Sequence, residues 1–391
     1  MADALRVAIV GGSIGGLTAG LLLHDLGLDV EIFERSGEAL RSRGAGIVVL
    51  PMAEKYLVQQ AADDRVSLQL TWWKYVDGEG RVLAADADRF RFSAWSAVYR
   101  ALLARFPQDR YHLNAEMVGF DHDSQSVTAS FADGTEARAD LLVCADGLAS
   151  TARRILLPDV EPTYAGYVAW RGTADEANLS AAAVAQLADS MLYQILDRGH
   201  LLVYAIPGVD GSTEPGARRQ NFVWYHNYDP GQAFERVMTD REGVRRSLSV
   251  PPGLVRDDLW SEMGALTAQL APAIREVVQE SPEPFVQAVF DLESPRMVFG
   301  RVCTIGDAAF SARPHVAAGT AKAAADAWAL RDALEAGGDL SAALAQWERR
   351  QLRLGRSVVA RSRAMGRRSQ IEGTMVPGDP AWKFGLIEAG N

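Results

Sequence analysis

The chain has 391 residues, 48% of them hydrophobic and 23% charged, with a formal net charge of −10. That length holds two domains and a large core, the composition is that of an ordinary globular protein, and the acidic balance speaks against general nucleic-acid affinity. No apolar run reaches the ~18 residues a membrane-spanning helix needs, and the early apolar run breaks at Gly11, unlike a secretory signal, so a soluble cytoplasmic protein is expected.

In chain order, residues 5–10 are an apolar run rich in β-branched side chains. Gly11-Gly12-Ser13-Ile14-Gly15-Gly16 follows, then residues 17–27 at helical spacing, then a second strand over 29–33 closed by Glu34. A dinucleotide asks for this series. Glycines let the backbone approach a pyrophosphate, the helix N-terminus offers free N–H groups and a positive dipole end, and the acid accepts hydrogen bonds from a ribose. The cofactor-binding candidates here are Gly11, Ser13, Ile14, Gly16, Glu34 and Arg35, with Ser13 standing at the middle glycine of G-x-G-x-x-G. The alternative is a tight strand–helix turn without a ligand.

Residues 41–50 contain Gly44-Ala45-Gly46 and an apolar run, 51–61 looks helical, and 68–75 with 81–85 alternate about the hairpin signal Asp77-Gly78-Glu79-Gly80. An amphipathic helix over 95–106 carries Arg100. Strands follow over 111–131, and 140–147 is a buried-type strand ending in Asp146-Gly147. An acid at the carboxyl end of a parallel strand lies where such sheets bind ligands.

From 164 to 172 the composition turns aromatic. Residues 192–206 and 220–228 read as long strands joined by the loop 208–216, a separate and mostly antiparallel layer that is the candidate substrate domain. Its candidate substrate contacts are Tyr193, Tyr204, Trp224 and His226; alternation puts Trp224 and His226 on one face and Tyr225 on the other. A histidine beside a ring pocket can take a hydroxyl proton, although a surface or satisfied core histidine is commoner. Arg171 suits a substrate anion or a backbone carbonyl equally.

Residues 251–280 are helical with loops. Residues 301–309 form a short strand ending in Gly306-Asp307, and 314–319 a turn with His315, Ala317 and Gly319. An alanine-rich helix covers 321–334. The last long helix covers 340–368, with Leu344, Trp347, Leu354, Val358 and Met365 on one face. Its eight arginines between 349 and 368 read as a solvated face or a partner to acidic surface. Cys144 and Cys303 read as buried thiols, and the six histidines have no metal-ligand spacing. No nucleophile constellation or carboxylate pair appears, which suits a protein that leaves the hard chemistry to a cofactor.

Three motifs stand in order: the glycine turn with Glu34, the strand ending Asp146-Gly147 and the strand ending Gly306-Asp307. Together they resemble the class A FAD-dependent aromatic hydroxylases of the para-hydroxybenzoate hydroxylase type, over residues 7–386. The stretches 162–172, 306–309, 313–319 and 377–386 resemble a branch that acts on dihydroxypyridines. The resemblance implies an α/β (α+β) fold, with a Rossmann-like FAD-binding domain and C-terminal helical part (1–72, 97–165 and 288–391) and a mostly antiparallel substrate domain (73–96 and 166–287). It implies FAD, NADH or NADPH, a small aromatic substrate and O2, and it allows a homodimer.

In such enzymes Glu34 would hold the adenosine ribose, Arg100 would reach the flavin or pyrophosphate, Asp146 would serve FAD, and Asp307 would bind the ribityl chain. The turn with Ala317 and Gly319 would present helix N–H groups to the flavin ring; His315 and His226 are the catalytic candidates. Four positions depart from the family pattern: Ala149, Phe310 in place of His, Ala317 in place of Gly, and Ala321 in place of Asn. A hydroxylase of hydroxybenzoate or salicylate type and a non-hydroxylating FAD-binding protein remain open. A halogenase would show W-x-W-x-I-P, whereas Trp224 begins Trp-Tyr-His; an NAD-dependent dehydrogenase would not need Asp146 and Asp307.

Overall fold

The computed structural model describes residues 4–38, 40, 45–60 and 66–386; Gly44 and the expected helix end at Ala61 lie outside them. Among the described residues the fold is mixed α/β. One sheet runs in the order Val298–Phe299, Val302–Thr304, Leu141–Cys144, Arg6–Val10, Asp29–Phe33 and Tyr111–His112, parallel apart from the first pairing. Its strands are short apolar runs because both faces are covered. Val7, Ile9, Leu141, Val143 and Cys303 pack with the helices Ile14–Asp25 and Gly319–Glu335. Ala8, Val10, Leu142, Cys144 and Val302 face a small antiparallel sheet, Met117–His122, Val127–Phe131 and Glu136–Ala139.

The larger sheet runs Ser249–Val250, Phe285–Glu293, Thr163–Asp175, Arg219–Asn227, Gly199–Ile206, Ser190–Leu196, Trp72–Val76 and Val82–Asp86. It is antiparallel except where Ser190–Leu196 meets Trp72–Val76. It too is buried on both faces. Trp170, Phe222 and Trp224 lie under the helices Ala181–Leu187, Asp257–Leu266 and Pro272–Gln279. Tyr167, Tyr193, Tyr204 and Tyr225 face the start of Gly319–Glu335 and the strands Gly46–Val49 and Phe90–Ala94.

Three elements differ from the sequence reading. The expected strand 192–206 is a hairpin turning at Asp197-Arg198, with Arg198 at φ 48°; its left-handed position carries neither Gly nor Asn, so composition hides the turn. The run 68–75 is two strands in different sheets, parted at Thr71, whose N–H donates to Asp189 Oδ1 at 2.9 Å. The last helix, Leu340–Gly366, ends in a π-type turn over Arg367–Glu372. Its arginines divide between solvent and acidic partners, Arg363 pairing with Glu293 at 3.2 Å and Arg368 with Asp379 at 2.6 Å.

Candidate active site

The carboxyl ends of the parallel strands bring three of the motifs to one edge. Gly11 N–H donates to Phe33 O at 2.8 Å, Ala145 N–H to Val10 O at 2.7 Å and Ile305 N–H to Cys144 O at 3.0 Å. Gly11, Glu34, Asp146 and Gly306-Asp307 therefore leave the sheet side by side. Gly11 needs φ +100°, and a Cβ on Gly16 would lie 1.8 Å from Gly11 O. Ile14 starts the first helix; Ser13 is its N-cap residue, yet its side chain makes no capping bond. Glu34 is buried, its Oε2 accepting from Gly12 N–H at 2.8 Å and Oε1 from Ser36 N–H at 2.9 Å.

A cavity of about 960 Å³ opens along this edge, walled by Gly11, Ser13, Glu34, Arg35, Asp146 and Gly147 among others. Asp146 Oδ2 accepts from Thr151 N–H at 2.8 Å, while Oδ1 is buried without a partner. Burial pushes this carboxyl up from its usual range against the pull of Ser150 and the neighbouring N–H groups. Asp307 keeps an accessible side chain although protein crowds round it. That crowding pushes its carboxyl up, Lys322 draws it down and Asp326 pushes it up again. Asp307, Ala317 and Gly319 do not line this cavity. Ala323 of the helix Gly319–Glu335 packs between the two glycine turns: a Cβ at Gly15 would lie 3.2 Å from its Cβ and one at Gly306 3.3 Å. Nothing lies within 4 Å of a Cβ on Gly319. An orphaned carboxylate oxygen, an uncommitted Ser13 hydroxyl and an open helix start fit a dinucleotide's hydroxyls and phosphates.

Ala317 sits at φ 51°, where an L-residue is strained by roughly 1–2 kcal/mol. Glycine would relieve this, less about 0.4–1 kcal/mol of added unfolded-state entropy. Ala317→Gly is thus expected to raise stability by up to about 1.6 kcal/mol, read as a higher Tm; a lower Tm would contradict the strain.

The second cluster surrounds His315, on the turn Pro314–Val316. Its Nε2 lies 2.7 Å from Tyr167 Oη, and its Nδ1 is buried without a partner. The ring is 4.7 Å from Tyr225 and 5.1 Å from His200. His200 stacks on Tyr193 at 4.8 Å, and its Nδ1 is bonded to Ser369 Oγ at 2.5 Å. Burial, helped by Arg313, drives His315 down to about 3; burial, helped by His315, drives His200 well below its usual value. Both rings are neutral at physiological pH. Burial raises the hydroxyls of Tyr167, Tyr193 and Tyr225, so these stay protonated. Tyr204 packs on Phe92 at 4.6 Å and is pushed up to about 12 by burial, Arg171 opposing.

The folded His315 binds a proton only near pH 3, whereas the unfolded ring binds one at its ordinary 6.5. Stability is therefore fully present above pH 6.5 and is lost as pH falls toward 3, by about 1.4 kcal/mol per pH unit. His315→Gln is expected to flatten Tm against pH in that window; an unchanged slope would refute the buried neutral ring.

Several candidates stand elsewhere. Trp224 lies on the opposite face of the sheet with Trp170 and Phe222. His226 is half-buried there, edge-on to Tyr228 at 5.2 Å, and Tyr225 takes the His315 side. Arg100 is exposed and donates to Val209 O at 3.4 Å. Arg171, by contrast, lines the cavity with Gln287, to whose Oε1 its Nη1 donates at 3.1 Å, while its Nη2 donates to Gly46 O at 2.6 Å and Gly46 N–H donates to Asn221 Oδ1 at 2.8 Å; these bonds tie the antiparallel sheet to the strand Gly46–Val49. His200 escaped the sequence reading, though alternation back from Tyr204 through Leu202 puts it on the same face. Among the described residues no group of three or more His, Cys, Asp or Glu is placed to hold a metal, and no helix is long and apolar enough to cross a membrane.

A family model described as FAD binding domain-like matches residues 164–291, most of the antiparallel sheet. The chain is 40% identical over 385 residues to a 2,6-dihydroxypyridine 3-monooxygenase of Paenarthrobacter nicotinovorans, covering 97% of this chain and 96% of that one. It is 30% identical to a salicylate hydroxylase of Pseudomonas putida, covering 83% and 76%. The solved 2,6-dihydroxypyridine-3-hydroxylase from Arthrobacter nicotinovorans matches with TM-score 0.93 at 38% identity, over 100% of this chain and 98% of that one. Sequence and fold agree, and the chain belongs to the class A FAD-dependent aromatic hydroxylases, flavoprotein monooxygenases reduced by NAD(P)H.

Proposed function

We propose that the protein inserts one oxygen atom of O2 into a small hydroxylated nitrogen heteroaromatic, a dihydroxypyridine, beside the packed cluster of Tyr167, Tyr193, His200, Tyr225 and His315. The observation that carries this is the buried, neutral His315 with its unpartnered Nδ1. Electrophilic oxygen transfer needs a ring enriched by hydroxyl groups, and removing a hydroxyl proton enriches it further; a pyridinol ionises more readily than a phenol. His315 Nδ1 takes that proton when Nε2 keeps the ring proton and donates to Tyr167 Oη, the ring oxyanion formed beside it supplying the opposite charge without which burial keeps the imidazole neutral. The protonated tyrosines donate to the ring's polar edges, and the aromatic walls keep water out. The likeness to the dihydroxypyridine 3-monooxygenase supports the choice of ring.

When bound, FAD supplies the reducing equivalents, taken from NAD(P)H, that activate O2. In this reading Gly11, Ser13, Ile14 and Gly16 cradle its pyrophosphate, Glu34 and Arg35 its adenosine half, and Asp146, Asp307 and the Ala317–Gly319 turn its flavin half. The domain holding the six-stranded sheet binds the cofactor, and the antiparallel sheet binds the substrate. Denaturing the purified protein should release FAD into the supernatant; flavin that stays attached, or FMN, would contradict non-covalent FAD. The substrate test is coupled turnover. A dihydroxypyridine should speed NAD(P)H oxidation and yield a product carrying one atom from labelled O2. Hydrogen peroxide alone would make the pyridine an effector. Hydroxylation of salicylate with pyridines inert would favour the second reading, to which the salicylate hydroxylase likeness points.

A further inference from the structure

Beneath the Gly306-Asp307 turn lies an ion pair that the mechanism above does not use. Lys322, in the first turn of the helix Gly319–Glu335, is 3% exposed and meets Asp326, 0% exposed, at 2.7 Å. Both side chains reach the same residue. Asp326 Oδ2 accepts from Gly306 N–H at 2.8 Å, and Lys322 Nζ donates to Gly306 O at 3.0 Å. Gly306 stands at φ +60° and is immediately followed by Asp307, the exposed carboxylate at the cofactor edge. The pair is walled in by Phe310, whose ring lies 5.0 Å from Lys322 Nζ. That ring fits only because Gly355 of the last helix has no side chain: a Cβ there would lie 2.5 Å from Phe310. Trp347 of the same helix donates to Asp326 O at 3.0 Å. Phe310, where the family pattern has His, thus covers an ammonium group on its aromatic face.

We infer that Lys322 and Asp326 are positioning residues for the cofactor: by gripping both peptide groups of Gly306 they hold the left-handed turn that aims Asp307 at the FAD. A buried pair adds little net stability against apolar residues of similar size, and breaking one partner is what destabilises. Specificity of geometry is then the reason to keep it. This inference rests on FAD binding and is independent of which ring is hydroxylated.

The experiment compares Lys322→Met, Asp307→Ala, the double variant Lys322→Met/Asp307→Ala, and the pair replacement Lys322→Met/Asp326→Leu. Each is stripped of flavin and titrated with FAD, following the quenching of flavin fluorescence, with Tm measured on the same apo-protein. The pair replacement should melt only modestly below the wild type, since it leaves Gly306 N–H without its acceptor but no lone charge, yet bind FAD at least tenfold more weakly. Lys322→Met should weaken FAD binding in the wild-type background and change it little once Asp307 is already Ala, because the grip acts through that carboxylate. Wild-type FAD affinity in the pair replacement would make the ion pair merely structural and overturn the inference. So would losses from Lys322→Met and Asp307→Ala that simply multiply. If Lys322→Met does not fold, the pair replacement, which leaves no lone buried charge, decides alone.

Discussion

Gly16→Ala is expected to give poorly folding protein that carries no flavin. Its Cβ would lie 1.8 Å from Gly11 O and 3.0 Å from Gly11 C. Both are backbone atoms of the turn itself, and that turn has no room to retreat, since a Cβ on Gly11 already points into Ala145 O at 2.3 Å. Overpacking that side chains can absorb costs typically ~1–3 kcal/mol. Here only backbone can give way, so the effect belongs at or above the top of that range, against a total stability of about 5–15 kcal/mol. The residual loss falls on the N–H groups that would meet the pyrophosphate. The readouts are Tm and the ratio of flavin to protein absorbance. Gly119→Ala is the control, because nothing lies within 4 Å of its Cβ; a change within about 0.5 kcal/mol is expected there. A yellow Gly16→Ala protein with wild-type Tm would show that the turn is looser than described.

His315→Ala is expected to keep its flavin and lose turnover by ~10²–10⁴-fold, the usual contribution of a positioned proton acceptor. The loss should shrink as pH rises toward the ionisation of the substrate hydroxyl, because an already ionised ring needs no base. His315→Gln separates packing from proton transfer: it can keep a hydrogen bond to Tyr167 but cannot take the proton, so its rate should fall nearly as far. His200→Ala removes the stacking partner of Tyr193 and a neighbour of His315, so a smaller loss of turnover with a lower Tm is expected. His226→Ala, on the far face against Tyr228, should turn over like the wild type. A His315→Ala enzyme with wild-type turnover, or a His226→Ala enzyme without it, would reverse this assignment.

The glycine turn and the acid-ended strands were legible in the sequence because their parts are local. A β-branched run, a glycine turn and an amphipathic helix each depend on neighbours a few residues away, so Gly11, Glu34, Asp146 and Asp307 could be singled out in a line of letters. The strand ends that carry them lie together because parallel strands place their carboxyl ends on one edge. The aromatic cluster around His315 was legible only in part. Period-two alternation correctly set Trp224 and His226 against Tyr225. Which face looks at His315 is decided by what packs on each side of the sheet, and here both sides are buried, one under Leu259, Met263 and Ile274, the other against Val316, Ala318 and Ala321. With no solvent side, hydrophobicity carries no label for the functional face. The neutral charge state of His315 and His200, the orphaned Nδ1 and the Lys322–Asp326 grip on Gly306 likewise come from residues apart in sequence. Desolvation and hydrogen-bond geometry decide them, and both exist only once the chain has closed around these groups.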